Sequence, residues 1–288
     1  MKILVTGSAG NAGAAVVKRF ATEDVTVRLA DEGRPPKELE ALEFVRCDTR
    51  TYSDVYNATE GVDGVIHLAA WHCAHQPPVS DATIFAVNVD GTFNVIEACR
   101  ARKINSLVFA SSMAYGWGSI YSVTKVIGED LCRAFQEISG ASVAILRYHA
   151  FVPGPYLDYG ARLLRNGVDR QDVAEATVAA FSAVAAKKVK LFNTIVHTAH
   201  GFPAAVAGNF RVLGPEWCEE QMQGAKSLIK KYDIELPERV EQHDLSSASR
   251  ELNWRPHVNF MSFLRDLKVR DARNEDVRNL VVPGELPK

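Results

Sequence analysis

The feature that most limits what this chain can fold into is an alternation of short, almost wholly apolar runs rich in β-branched residues with longer stretches of helical spacing. Lys2 to Val5 precedes a helical pattern from about Asn11 to Thr22, and the runs Val25 to Ala30, Glu43 to Cys47 and Gly64 to Ala69 follow. The rhythm continues with a helix near Ala86 to Ala101, a strand Ser106 to Ala110, a helix Tyr121 to Ser139 and a strand Ser142 to Tyr148. A helix near Gln171 to Ala186 and a strand Val189 to Val196 complete it. Strands without polar alternation are buried on both faces, and parallel strands joined by crossover helices bury them that way. The fold expected is therefore α/β, a doubly wound (Rossmann) parallel sheet with a small C-terminal substrate lobe.

The first strand runs straight into Thr6-Gly7-Ser8-Ala9-Gly10-Asn11-Ala12-Gly13 and an alanine-rich helix. Glycines at such a turn permit a tight reversal, let main-chain N–H groups approach a pyrophosphate and allow close packing of helix on strand. Gly7, Gly10, Asn11, Ala12 and Gly13 are accordingly read as a dinucleotide cradle, against the plain reading of a turn that serves packing alone. The turn lacks the Gly-Lys-Ser/Thr ending that phosphoryl transfer needs. Asp31 ends the second strand, 18 residues past Gly13, where a carboxylate accepts both ribose hydroxyls and repels a 2′-phosphate. That favours NAD, while Arg34 close by keeps NADP open, and a loop-capping role is the plain alternative for Asp31. Asp48, ending the third strand, is read as an adenine contact or a turn cap. Residues 1–198 are read as the dinucleotide-binding domain, and residues 199–288 as the substrate lobe with a charged, proline-bearing C-terminal arm.

Tyr121-Ser122-Val123-Thr124-Lys125 opens a helix with tyrosine and lysine four residues apart on one face. A phenol of pKa about 10 is a poor base at neutral pH; bringing it near 7 takes roughly 4 kcal/mol, which an adjacent ammonium and a cationic nicotinamide can supply together. Tyr121 is thus the expected base, Lys125 its activator, and Ser111, at a strand's carboxyl end, the donor to a substrate oxygen. Tyr115 competes as base but has no lysine four residues on. His72, Ser112, Tyr148 and His149 are candidates for substrate contact, with buried, satisfied side chains as the plain alternative for Tyr148 and His149. His72, Cys73 and His75 form a His-Cys-x-His, but with no distant fourth ligand it predicts no metal site.

On these residues the chain resembles the extended short-chain dehydrogenase/reductase group, the NAD-dependent epimerase/dehydratase family. The resemblance runs through Thr6 to Gly13, Asp31, Asp48, His67-Leu68-Ala69-Ala70, Asn88-Val89-Asp90-Gly91-Thr92 and Phe109-Ala110-Ser111-Ser112. It continues through Tyr121 to Glu129, Asp172-Val173-Ala174-Glu175-Ala176 and Leu252-Asn253-Trp254-Arg255-Pro256. It implies that Tyr121, Lys125 and Ser111 are catalytic, that Ala69 and Ala70 pass beside the cofactor, that Lys125 also holds the nicotinamide ribose, and that Asn88 is the family's helix asparagine. Three departures narrow the reading. The loop between Ser111 and Tyr121 is short, Ser112-Met113 stands where dehydratases carry an acidic pair, and Pro155 to Gln171 is too brief for the nucleotide-gripping insertion of sugar-nucleotide epimerases. Dehydration is disfavoured. The function expected is NAD-dependent, Tyr-assisted hydride transfer on a sugar, sugar nucleotide or related polyol, whether by epimerisation or by a compact uronate or aldose dehydrogenase. A catalytically silent dinucleotide sensor or scaffold is the rival from another class.

Composition bounds the partners. With 33 basic against 35 acidic residues in 288, the chain has no general attraction for nucleic acid or anionic membranes. No run approaches the roughly 18 apolar residues of a membrane helix. Five dispersed cysteines, Cys47, Cys73, Cys99, Cys132 and Cys218, suggest neither a disulfide framework nor a zinc ribbon, and point to a reducing, cytoplasmic setting. The helices carrying Phe93, Val95, Ile96, Val126, Ile127 and Leu131 have apolar residues on more than one side. In the family the matching helices pair across a twofold axis, so a homodimer is expected.

Overall fold

The structure, a computed structural model, describes residues 1–75, 77–114, 116 and 118–282. Tyr115 and the tip of the C-terminal arm therefore lie outside the described residues. In chain order the elements are β1 (Lys2–Thr6), α1 (Asn11–Phe20), β2 (Thr26–Asp31), β3 (Glu43–Arg46), α2 (Tyr52–Ala58), β4 (Gly64–His67), α3 (Asp81–Phe85), α4 (Gly91–Arg102), β5 (Ser106–Ser112), α5 (Ile120–Ser139) and β6 (Ser142–Tyr148). They continue as β7 (Gly154–Pro155), α6 (Tyr156–Leu163), α7 (Arg170–Ala185), β8 (Leu191–Val196), α8 (Ala204–Gly208), α9 (Phe210–Gln221), α10 (Ala225–Lys231), α11 (Ser246–Leu252), α12 (Phe260–Ala272) and β9 (Val281–Val282).

Seven strands form one sheet in the order β3-β2-β1-β4-β5-β6-β8. Neighbours from β3 through to β6 pair in parallel, as in Leu4 opposite both Arg28 and Val65. The order reverses between β1 and β4, and ligands of doubly wound sheets sit beyond the strand ends at such a reversal. The apolar strands bury both faces as their sequence requires: Ile3, Leu4 and Val5 are wholly inaccessible, as are Val143 to Leu146. Helix α5 starts where the Ser119 hydroxyl accepts the Ser122 N–H at 3.3 Å, and stops at Gly140 in the left-handed conformation.

The chain divides into two compact units, and it passes between them more often than the sequence pattern suggested. The first holds Met1–Tyr148, Val173–Ile195 and Ser247–Trp254; the second holds His149–Asp172, Val196–Ser246 and Arg255–Lys288. Against a single boundary at residue 198, residues 149–172 and 196–198 fall in the second unit and residues 247–254 in the first. Residues 149–172 belong with the second unit because α6 packs there: Tyr156 donates to Asp266 at 2.6 Å, and a Cβ on Gly160 would lie 2.2 Å from the Phe263 ring. Residues 247–254 belong with the first, where Lys188 caps the end of α11 by donating to the carbonyls of Arg250 and Glu251. The second unit is mostly helical around Tyr156, Phe210, Phe260, Phe263 and Leu267, with β7 and β9 as a short antiparallel pair.

Candidate active site

The glycine turn is held by sterics. Gly7 has φ +69°, and a Cβ there would lie 2.6 Å from the Ala69 nitrogen, so only glycine lets β1's exit meet the segment leaving β4. A Cβ on Gly13 would lie 2.1 Å from the Gly7 carbonyl oxygen, whereas on Gly10 the same oxygen is 3.3 Å away. Helix α1 begins at Gly10 with no side-chain cap, so its first N–H groups face outward as an anion site. Within the turn the Ser8 hydroxyl is buried and has no hydrogen-bond partner. Asp31 flanks the turn, accepting the Ala9 N–H at 2.9 Å with one oxygen and the Gly33 N–H at 2.9 Å with the other. An uncapped helix start, an orphaned hydroxyl and an anchored carboxylate fit the pyrophosphate and ribose of a dinucleotide.

A buried relay stiffens this corner. Thr92 donates to the Asn88 carbonyl at 2.6 Å, so its oxygen takes the His67 Nε2–H at 3.0 Å, leaving His67 Nδ1 to accept from Thr6 at 2.7 Å. Burial pushes His67 down to about 3, with the nearby Lys125 charge acting in the same direction. Asn88 lies in a single π turn, Ala86–Asp90, ahead of α4. Its amide nitrogen donates to the Trp71 carbonyl and to Thr124, and its oxygen accepts the Trp71 N–H. Both amide donors are thereby used, and Asn88 ties Trp71 to α5. Asp48 is committed as well, accepting from the Arg50 guanidinium at 2.6 Å, which holds its carboxyl below the usual range. Ala69 is half-buried beside Gly7, and Ala70 is exposed.

Tyr121 is 7% exposed, packed with Ile84, Ala114 and Trp71 and covered by the His72 ring at 4.3 Å between centroids. The Ser112 side chain lies beside it, and Lys125 Nζ lies 5.8 Å from its ring centre. The ammonium is buried, donates to the Ala110 carbonyl at 2.8 Å, and is pushed down to about 8 by burial. Tyr121 itself is raised, not lowered, because burial outweighs the Ser112 hydrogen bond. The expected preference for phenolate is therefore not a property of the protein groups alone.

Ser111, expected to meet the substrate, is buried and donates to Glu129 Oε1 at 2.6 Å, and Ser112 is the serine beside Tyr121. Glu129 was legible only as part of the α5 motif. Its buried carboxylate also accepts from Arg147 at 2.7 and 2.8 Å, Arg133 at 3.0 Å and Asn193 at 3.3 Å. A carboxylate on the apolar stripe of α5, eight residues from Tyr121, was the available signal.

Tyr148 is buried with its hydroxyl 2.7 Å from Thr177. His149 belongs to the second unit, where it packs edge-on against His197 and tilted against His243, neither of which drew notice in the sequence. His72 Nδ1 accepts the Ala74 N–H at 3.0 Å, and His75 packs edge-on against Trp71. Cys73 Sγ lies 3.8 Å from that same His72 nitrogen.

The comparisons agree with this geometry. An L-arabinose 1-dehydrogenase (NAD(P)(+)) of Haloferax volcanii is 37% identical over 38% of this chain and 41% of its own length. A uronate dehydrogenase of Agrobacterium fabrum is 29% identical over 63% of this chain and 72% of its own. The chain thus spans less than half of the first relative. The fold matches a short-chain dehydrogenase/reductase superfamily protein of Agrobacterium tumefaciens with bound NAD at a TM-score of 0.70 and 20% identity, covering 95% of this chain and 98% of that one. The sequence profile of one family covers residues 3–171, more than half of the chain and every element from the glycine turn to α7's start. With that span matched, the chain belongs to the NAD dependent epimerase/dehydratase family, whose cofactor is NAD.

Proposed function

We propose that the protein is a dehydrogenase that oxidises one hydroxyl of a small, free carbohydrate of the aldose or uronate class, with Tyr121 as proton acceptor. The observation that carries this reading is the buried Tyr121 ring with Ser112 beside it and the Lys125 ammonium 5.8 Å from its centre. The short stretch from Pro155 to Gln171 and the names of the two relatives support a compact sugar over a nucleotide sugar. When bound, NAD would supply the acceptor for the carbinol hydride, leaving a carbonyl with reduced cofactor and one proton as the other products. Tyr121 takes the hydroxyl proton, Ser112 donates to the same oxygen, and Lys125 opposes the charge that builds on the phenol. Gly7, Gly10, Asn11, Ala12 and Gly13 would cradle the pyrophosphate, Asp31 would take the ribose, and Ala69 and Ala70 would line the cofactor's path.

Exposed Phe93 on α4 and Val123 and Val126 on α5, at 49%, 51% and 38%, support a homodimer through those helices. All five cysteines are free, which supports a reducing, cytoplasmic setting; no helix among the described residues is long and apolar enough to cross a membrane.

Reduced-cofactor absorbance, followed across a panel of aldoses and uronates, tests the reading, and Tyr121→Phe is expected to lower kcat by about 1000-fold. Full turnover by that variant would remove Tyr121 from the reaction. NAD that stays bound through dialysis, with sugar interconverted and no free reduced cofactor, would replace net oxidation by epimerisation.

A further inference from the structure

We propose that His149, His197 and His243 form a binding site for a divalent transition cation of zinc type, which clasps three segments of the second unit that are far apart in sequence. One nitrogen from each ring lies within 4.8 Å of the others, and the ring centroids are 4.2, 4.8 and 5.0 Å apart. In all three rings Nε2 is buried and has no hydrogen-bond partner. Three orphaned polar atoms on rings packed this closely call for something to satisfy them.

The tautomers decide what that something is. His197 Nδ1 faces the Thr198 carbonyl at 2.7 Å, so Nδ1 carries the hydrogen and Nε2 a lone pair. That buried lone pair has no donor facing it, and a cation would accept it. Ligand imidazoles whose other nitrogen is held by a carbonyl are the usual second layer of a metal site. Three imidazoles without a carboxylate or thiolate among them suit zinc, cobalt, nickel or copper over magnesium or calcium, with a fourth position for water. Nitrogens sharing a tetrahedral zinc sit closer together than 4.8 Å, so the rings must draw inward by about 1 Å. His243, in a segment without regular secondary structure, is placed to make that move.

The test uses the full chain after chelator treatment, titrated with Co(II) and then Zn(II). The proposal expects one equivalent of Co(II) with the visible absorption of a four-coordinate site, displacement by Zn(II), and a higher Tm with Zn(II). His243→Asn is expected to weaken binding by about 100-fold with an unchanged far-UV spectrum. The double variant His72→Ala, Cys73→Ser is expected to bind as the parent does. Should His243→Asn fail to fold, X-ray absorption of the zinc-loaded parent decides: imidazole nitrogens at roughly 2.0 Å support the site, and a sulfur at about 2.3 Å overturns it in favour of Cys73. Absence of Co(II) or Zn(II) binding by the parent also overturns it and leaves a trapped water as the rings' partner.

Discussion

At the residue scale, two adjacent serines at the end of β5 meet different residues of the same helix, α5, and so have different tasks. Ser111 joins the Glu129 carboxylate with Arg147 and Arg133, and Ser112 joins the Tyr121 hydroxyl. Removing the first hydroxyl therefore touches stability, and removing the second touches chemistry. Ser111→Ala is expected to cost about 1 kcal/mol in urea unfolding with kcat within a few-fold of the parent, since Glu129 keeps its guanidinium partners. Ser112→Ala is expected to lower kcat by about 100-fold with little change in unfolding midpoint. The opposite pattern, measured on the same two proteins, would return Ser111 to the reaction. The distinction was not legible in the sequence, where Ser-Ser does not say which hydroxyl meets Glu129 and which meets Tyr121. Tyr121 and Lys125 were legible, because their four-residue spacing on a helix fixes their common face whatever surrounds them. The direction of the Tyr121 shift was not, since it turns on burial by Ile84, Ala114 and Trp71, contributed by segments remote in sequence.

At the scale of elements, the glycine turn and the helices α4 and α5 show how far periodicity carries. A strand followed by spaced glycines and a helix defines the turn locally, and the structure separates its glycines by what each would strike. Gly13→Ala must push its Cβ into the Gly7 carbonyl and the Ser8 Cα, both backbone atoms, so the turn and the first N–H groups of α1 have to move. Gly10→Ala needs only a small adjustment at 3.3 Å. By fluorescence titration, NAD affinity is expected to fall about 100-fold or more for Gly13→Ala and less than about 10-fold for Gly10→Ala, with equal losses arguing against the cradle. In α4 the sequence pattern marked Phe93, Val95 and Ile96 together as surplus apolar surface, yet Val95 and Ile96 are buried in the first unit's core and only Phe93 faces out. The true outer face adds Val123 on α5, which the pattern passed over because it lies inside the catalytic motif. Phe93→Asp with Val126→Asp is expected to shift the protein to a monomer by light scattering, whereas an unchanged mass would clear these helices of the interface. The crossings between units were illegible for a different reason: residues 149–172 join the second unit through tertiary packing of α6, on which local pattern is silent.

At the scale of the whole molecule, buried histidines set the acid limit of the fold. Burial pushes His67 down to about 3, His149 to about 3, His197 to about 4 and His200 to about 4, each from an ordinary 6.5. Above pH 6.5 both folded and unfolded forms hold these rings neutral, so their contribution is fully present. As the pH falls below 6.5 the unfolded chain takes up protons that the folded one refuses, and stability is lost through the window down to about 3 or 4. Each ring costs about 1.4 kcal/mol per pH unit within that window, so four acting together consume a typical 5–15 kcal/mol of stability in roughly one to three units. Lys125 works at the other end: burial lowers it to about 8, the folded chain sheds its proton before the unfolded one, and stability rises as the pH climbs from 8 toward 10.5. The two effects have the same sign, so urea midpoints are expected to climb from acid to alkaline pH and the protein to unfold without denaturant at a pH of about 4 or above. Three of the four histidines lie in the second unit, so limited proteolysis at pH 5 is expected to cut there before it cuts the first. A urea midpoint that stays level between pH 7 and pH 5 would mean that these rings are hydrated in solution and carry their protons in the folded state.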